Sequence, residues 1–245
     1  MSNRLRLLAG PRAAWSPHRL TRSVWRASWD SGIGVSNPAG VDSWTDYIGG
    51  LAPEQATEGA RPALDESGDY PVVSAAAGSR YLTRFTLGTG FIPTGTDTSV
   101  IFAVVQGWTT GNILCWGGTS AASTRRIGLD GAGNVTLAVG SSGNGHFVTV
   151  PASLVARSLL TGITTADGLS FRINGVEVGR KTIAMPTTGT NLIRLFANTN
   201  GTPGALGDGA IADLNITTAL SDADILRFEG WLAHKRNIFL GSVPS

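Results

Sequence analysis

Residues Ile211 to Ile238 read IADLNITTALSDADILRFEGWLAHKRNI, and the reading of this stretch decides how the remainder of the chain is understood. Its first six residues form a short strand in which Ile211, Leu214 and Ile216 are apolar and Asp213 and Asn215 polar. Ser221 then offers an N-cap oxygen, and Asp222 and Asp224 sit where the positive end of a helix dipole favours them. Ile225, Phe228, Trp231, Leu232 and Lys235 follow at spacings of three and four, which draws one stripe down about four turns of helix. Such a helix needs a surface to lie on, so Trp231 and Phe228 are expected in a core and the helix is expected to close a sheet at its edge or back. His234 and Lys235 are read as finishing the helix near its negative end.

Upstream the chain is written for sheets. Among 245 residues there are 33 glycines and only 15% charged residues, with 42% apolar content, which suits one large domain of short strands and tight turns. Strands are expected at 23–30, 41–47, 70–74 and 80–87. The continuous apolar run Thr98–Gln106 has the character of a strand buried on both faces, and Asn112–Trp116 is expected to pair with it. Further strands are expected at 125–129, 134–139, 146–150 and 191–196, separated by glycine- and asparagine-rich turns. Leu169 to Val178 is a hairpin, with Leu169, Phe171 and Ile173 on one face, Asn174-Gly175 as a type I′ turn, and Val176 and Val178 returning. The pairs Gly88/Gly90 and Gly207/Gly209 read as turn residues. About a dozen strands closed by one helix make an all-β, two-sheet antiparallel sandwich.

The charge is unevenly placed. Arg4, Arg6, Arg12, Arg19, Arg22 and Arg26 fall in the first 26 residues with no acidic residue among them, and setting these six aside leaves 13 of the 19 basic residues against 17 acidic ones. Residues 1–14 are therefore an extended basic arm ahead of a single domain at 15–245. The arm lacks the density of cations and interleaved aromatics of a nucleic-acid groove, so it is expected to dock on a protein neighbour. Cys115 is the one cysteine, which excludes an intramolecular disulfide. The apolar runs near the N-terminus and at Val100–Val105 are too short for a signal peptide or a membrane span. A product made in the cytoplasm, without membrane insertion, is the expectation.

The order of parts resembles a known family. A strand ending Trp25-x-x-x-Trp29-Asp30, a Val41-x-x-Trp44-x-Asp46 strand, Arg61-Pro62, the run from Asp97 through Val105, the Phe171–Val178 hairpin and the Leu220–Lys235 ending carry the likeness. Together they resemble the laminin-G-like branch of the concanavalin A-like lectin/glucanase superfamily, in the form met in bacteriophage structural proteins and bacterial surface proteins. The resemblance covers about residues 15–240. It implies a jelly-roll sandwich of two antiparallel sheets and admits lectins, adhesion modules and glycoside hydrolases, so function must be argued from a site.

The chemistry of that site is sparse. No strand carries the alternating carboxylates of the superfamily's hydrolases; Asp65-Glu66 lies in a loop and Asp222/Asp224 at a helix cap. His18, His146 and His234 are scattered, so a zinc site is not expected. The resemblance leaves calcium open, with Asn198, Asn200 and Asp208 as the oxygen donors placed for it; no other cofactor is expected. For sugar stacking the best placed residues are Trp108, at a glycine-flanked loop tip, and Asn112, with burial or subunit contact as the competing reading for the tryptophan. The expectation is a non-enzymatic virion protein. It would decorate the capsid or form part of the tail, attached to other virion proteins through its arm (Arg4, Arg6, Arg12) and assembled as a homo-oligomer. The alternative is a module on the particle that binds host-surface glycan.

Overall fold

A computed structural model describes residues 15–37, 39–48, 50–75, 80–85, 97–117, 124–130, 132–140, 147–184, 192–197, 208–241 and 243–244. Arg4, Arg6 and Arg12 of the arm, and Asn198 and Asn200 of the calcium reading, lie outside the described residues. The strands in chain order are β1 (Trp25–Asp30), β2 (Val35–Ser36), β3 (Ser43–Trp44), β4 (Ala63–Asp65), β5 (Val72–Ala75), β6 (Leu82–Phe85), β7 (Ser99–Thr110) and β8 (Asn112–Gly117). They continue as β9 (Thr124–Leu129), β10 (Val135–Val139), β11 (Phe147–Val150), β12 (Ser158–Thr165), β13 (Gly168–Ile173), β14 (Val176–Thr182), β15 (Leu192–Leu195) and β16 (Asp208–Thr217), followed by the helix α1 (Asp222–Lys235).

These strands make an antiparallel β-sandwich. One sheet runs β14-β13-β12-β7-β16-β5-β4 with β1 also on β16, the other runs β11-β10-β9-β8-β15-β6, and β2 pairs with β3 apart from both. Between the sheets lies a hydrophobic core that includes Trp29, Trp116, Ile127, Leu137, Phe171 and Leu214. Arg125 is buried in it, donating from Nη1 to Ser99 Oγ (2.8 Å) and Thr164 Oγ1 (2.9 Å) of the opposite sheet, and burial pulls its pKa down to about 10.

The strand within Ile211–Ile238 is the hub of the larger sheet. One edge of β16 pairs with β7, while the other is shared, Gly209–Ile211 with β5 and Asp213–Thr217 with β1. A register shift between Ile211 and Asp213 explains why its apolar residues are spaced by three and then two: the extra residue lets both Ile211 and Leu214 face the core. α1 lies across the back of this sheet. Ser221 accepts from the Asp224 amide at 3.2 Å as the cap, and the Phe228 ring stacks on Phe102 of β7 with centroids 4.2 Å apart. Ile225, Phe228 and Leu232 are buried as their spacing predicts, whereas Trp231 is only half-buried and Lys235 lies over its ring. With the inter-sheet core behind it and α1 in front, β7 is buried on both faces, as its unbroken apolar run predicts. The 174–175 turn is as read, with φ of 49° at Asn174 and 80° at Gly175.

Two expectations are corrected, and one strand lies where none was expected. β7 and β8 do not pair: β7 lies between β12 and β16, and β8 lies between β9 and β15 in the other sheet. A single residue, Gly111 (φ 76°), separates them, too short for a two-residue hairpin but enough for a corner that carries the chain across the sandwich. β12 is the strand that residue alternation does not announce. It is buried on both faces over most of its length, and its mid-strand Gly162 lowers strand propensity where a Cβ would meet Leu137 Cδ1 at 2.9 Å. Nor is Gly209 a turn residue: it lies inside β16.

Candidate functional site

The register of β1 on β16 places Asp30 directly opposite Asp213, and two like charges at such a pair oppose folding unless something neutralises them. The end of the helix does so. Lys235 Nζ donates to Asp30 Oδ2 and Asp213 Oδ1, both at 2.6 Å. Arg236 donates to Asp30 Oδ1 at 2.9 Å, to the Ala212 carbonyl at 3.2 Å, and through Nε to Asp213. Burial pushes the Asp30 carboxyl up, but the hydrogen bonds and charges of Lys235 and Arg236, with the Gly32 amide, outweigh it and leave its pKa lowered. Burial likewise works against the Arg236 cation, and the two aspartates outweigh it so that its pKa is raised. Lys235, read as a helix-end cation, is thus one arm of a four-charge lock.

The lock is continuous with a groove. The guanidinium groups of Arg236 and Arg157 both lie over the Tyr70 ring, 5.1 and 5.2 Å from its centroid. Arg157 also donates from Nη1 to the Arg236 carbonyl and from Nε to Gln106 Oε1, each at 3.0 Å. These contacts fix a cation that would otherwise sweep several rotamers. It stands at one end of an open groove of about 630 Å³ on the same outer face as α1, bounded at the other end by Asp65 and lined also by Arg80 and Asp208. The floor is small: Ser74 of β5 pairs with Ala210 of β16, which pairs with Gln106 of β7, and Ala75, Gly107 and Gly209 lie beside them. Val155, 66% exposed, adds an apolar rim. Asp65 accepts from the hydroxyl (2.7 Å) and amide (2.9 Å) of Ser67, which hold its pKa below the ordinary carboxylate value.

Of the residues singled out in the sequence, Asp208 lines the groove and Trp108 does not, and each has a role other than expected. Asp208 opens β16 and accepts from Thr109 Oγ1 at 3.2 Å, so one carboxylate oxygen remains to face a ligand. Trp108 does not offer a stacking face. It is 1% exposed, its indole is parallel to Phe196 at 5.5 Å, and its Nε1 donates to the Gly111 carbonyl at 3.2 Å. The glycines around Trp108, taken in the sequence as marks of a loop tip, instead let the backbone close over it. A Cβ on Gly209 would stand 2.7 Å from its Cε3 and 2.8 Å from its Cα. Gly209→Ala should accordingly cost about 1–3 kcal/mol, read as a lower melting temperature; an unchanged melting temperature would show that the tryptophan can shift at no cost. Asn112 is nearly buried beside Gly128 and does not line the groove.

Arg157, Gln106, Tyr70, Ser74 and Arg80 were not found from sequence. They come from separate segments, and no local spacing joins them. A second groove of about 540 Å³ lies beside the first turn of α1, but its two arginines are spent on carboxylates. Arg180 forks onto Glu177 at 3.0 and 2.8 Å, Ser170 also donates to Glu177, and Arg172 forks onto the buried Glu229 at 2.9 and 3.1 Å. Among the described residues no group of three His, Cys, Asp or Glu side chains is placed to hold a metal ion, and no helix is long and apolar enough to cross a membrane. Burial pushes the Cys115 thiol up to about 12, against the pull of the nearby Arg194 and Arg126.

No protein-family model matches the chain, and no curated protein matches it in sequence. Solved structures do match in fold. Domain 4 of an extracellular arabinanase from Geobacillus stearothermophilus, in complex with arabinotriose, is 18% identical with a TM-score of 0.58, over 84% of this chain and 98% of that one. The binding domain of botulinum neurotoxin serotype D/C is 12% identical with a TM-score of 0.61, over 86% of this chain and 53% of that one. An arabinofuranosidase complexed with arabinofuranosyl-xylobiose is 13% identical with a TM-score of 0.53, over 78% and 50%. The chain spans about half the length of the last two, and 23% of a NanB sialidase that it matches in part. At these identities the likeness is one of fold, an antiparallel β-sandwich.

Proposed function

We propose that this chain is a non-enzymatic carbohydrate-binding β-sandwich whose ligand lies in the groove formed by β4, β5, β16 and the end of β7. The observation that carries this reading is the groove itself: a concave surface of about 630 Å³ rimmed by two guanidiniums, two carboxylates, an amide and a hydroxyl, with one guanidinium already pinned. Planar, fixed polar groups around a shallow floor are the means by which proteins hold hydroxyl-rich ligands in place. Two of the fold neighbours were solved with arabinose-containing oligosaccharides, which supports the same class of ligand. A glycosidase needs one carboxyl held protonated near neutral pH. Four described carboxyls have pKa values that clearly depart from the ordinary, Asp30, Asp65, Asp130 and Glu177, and all four are displaced downward. Of the four only Asp65 lines the groove, where a lowered pKa keeps it ionised and able to accept from hydroxyls.

A glycan array probed with the wild type and with Asp208→Ala tests the reading. Losing hydrogen bonds to one charged group should reduce binding about tenfold or more, with the melting temperature little changed because Asp208 bonds only to an exposed hydroxyl. Equal binding by the two proteins would remove the groove from consideration. Attachment to a particle through the arm is a second reading. It draws on one observation: Trp15 packs edge-on against Phe228 of α1 at 6.2 Å, on the helix-covered face. Deleting residues 1–14 should leave the domain folded and abolish incorporation into virus particles; a shortened protein that still decorates particles would contradict it.

A further inference from the structure

The groove differs from a site for acidic sugars in the sign of its charges. Arg80 and Arg157 bring two positive charges, and Asp65 and Asp208 bring two negative ones. Across the sheet they run from Asp65 on β4 and Asp208 at the head of β16 to Gln106 on β7 and Arg157 beyond it, so the carboxylates stand toward one end and Arg157 at the other. The two positive and two negative charges cancel, so an anionic ligand that spans the groove meets the repulsion of both carboxylates along with the attraction of the guanidiniums. A neutral hydroxyl has no such conflict, since it donates to a carboxylate and accepts from a guanidinium at the same time.

Arg157 is already committed on two sides. Its Nε–H is held by Gln106 and one Nη1–H by the Arg236 carbonyl, which leaves its Nη2 edge for a ligand. With Nε engaged by Gln106, the side-on fork through Nε–H and Nη–H is closed to a ligand carboxylate. The Gln106 carbonyl oxygen is engaged by the same bond, so what this residue has left to offer is the amide N–H₂. The Trp108 indole is buried, so recognition falls to these polar groups and to the low apolar rim at Val155.

Resting on the carbohydrate-binding reading above, we infer that the groove selects neutral oligosaccharides and rejects sialylated or sulfated ones, with Asp65 and Asp208 as the residues that determine the selection. These two carboxylates accept hydrogen bonds from sugar hydroxyls and repel anionic substituents.

The test compares neutral oligosaccharides with their sialylated and sulfated counterparts on one array. It uses the wild type and the double variant Asp65→Asn/Asp208→Asn, which preserves side-chain size and removes both negative charges. The wild type should bind neutral glycans with less than a twofold change between low and high salt, and bind anionic counterparts at least tenfold more weakly. The double variant should narrow that gap about tenfold or more. A wild type that prefers anionic glycans, with binding that falls steeply as salt rises, overturns the selection while leaving carbohydrate binding in place. A double variant with unaltered selectivity overturns the role of the two aspartates. Failure of the wild type to bind any glycan of either class overturns both the selection and the function on which it rests.

Discussion

Phe228→Ala is expected to destabilise the protein by about 3–5 kcal/mol, lowering the melting temperature by about 10 °C at this chain length. The phenyl ring is fully buried and lies nearly parallel to Phe102, with Trp25 at 5.5 Å, Trp231 at 6.0 Å and Trp15 at 6.2 Å around it. Removing it empties the centre of the layer between α1 and the larger sheet, and aromatic side chains held on a rigid strand collapse poorly into such a gap. Phe228→Leu keeps most of the volume and should cost distinctly less. The effect is read by thermal or urea denaturation. Equal small losses for both variants would show that α1 contributes little to the fold.

The second large effect is at the charge lock. Asp213→Ala should cost about 3–5 kcal/mol, because it leaves Lys235 and the buried Arg236 to share the one remaining carboxylate, Asp30. Both Asp213 and Arg236 are only 3% exposed at the side chain. Replacing the pair together, as Asp213→Leu with Arg236→Met, should restore most of the loss, since it removes both desolvated charges. A double variant as unstable as the single one would mean that the lock positions the helix end by directional bonds rather than by charge balance.

The same lock gives a signed dependence on pH. Asp30 has a folded pKa below its unfolded value, so its contribution is fully present above about pH 4 and is lost as the pH falls through the folded value. Lys235→Met removes the first of the partners that hold this pKa down, and should flatten the acid side of the stability curve. An unchanged acid slope in Lys235→Met would place the acid sensitivity elsewhere.

Much of the fold was legible because single residues or short spacings carried it. The Asn174-Gly175 turn, the Ser221 cap and the Ile225–Phe228–Leu232 stripe are local signals, and each lies where its physics requires. The apolar run of β7 was legible for the same reason, since burial on both faces removes any need for alternation. What failed was non-local. Gly111 reads the same in sequence whether it closes a hairpin or turns a corner between sheets, and only the partners of β7 and β8 decide between them. β12 was hidden because Ser158, Thr161 and Thr164 are polar yet buried: the Thr164 hydroxyl bonds to Ser99 of β7, the Ser158 hydroxyl donates to the Ala156 carbonyl just before the strand, and the Thr161 hydroxyl is buried without a bond. Glu229 was hidden as well, a carboxylate on the buried side of α1 whose partner, Arg172, is 57 residues away.

The groove was the least legible part. Trp108 drew attention as an aromatic among glycines, but those glycines serve close packing around a buried indole. The residues that line the groove come from the end of β4, the body of β5, the turn into β6, the end of β7, the approach to β12 and the start of β16. Nothing in their spacing predicts that they meet. Their convergence follows from β16, whose shared edge brings β5 against the start of the same strand that β1 completes.

The most direct test of the central claim is to titrate isotopically labelled protein with a neutral oligosaccharide such as arabinotriose and follow backbone amide shifts. The account predicts saturable changes confined to Ser74, Gln106, Gly107, Arg157 and Asp208 with their immediate neighbours. Changes on the outer face of the six-stranded sheet, around Arg126 and Arg194, or no saturable change with any neutral oligosaccharide, would contradict it.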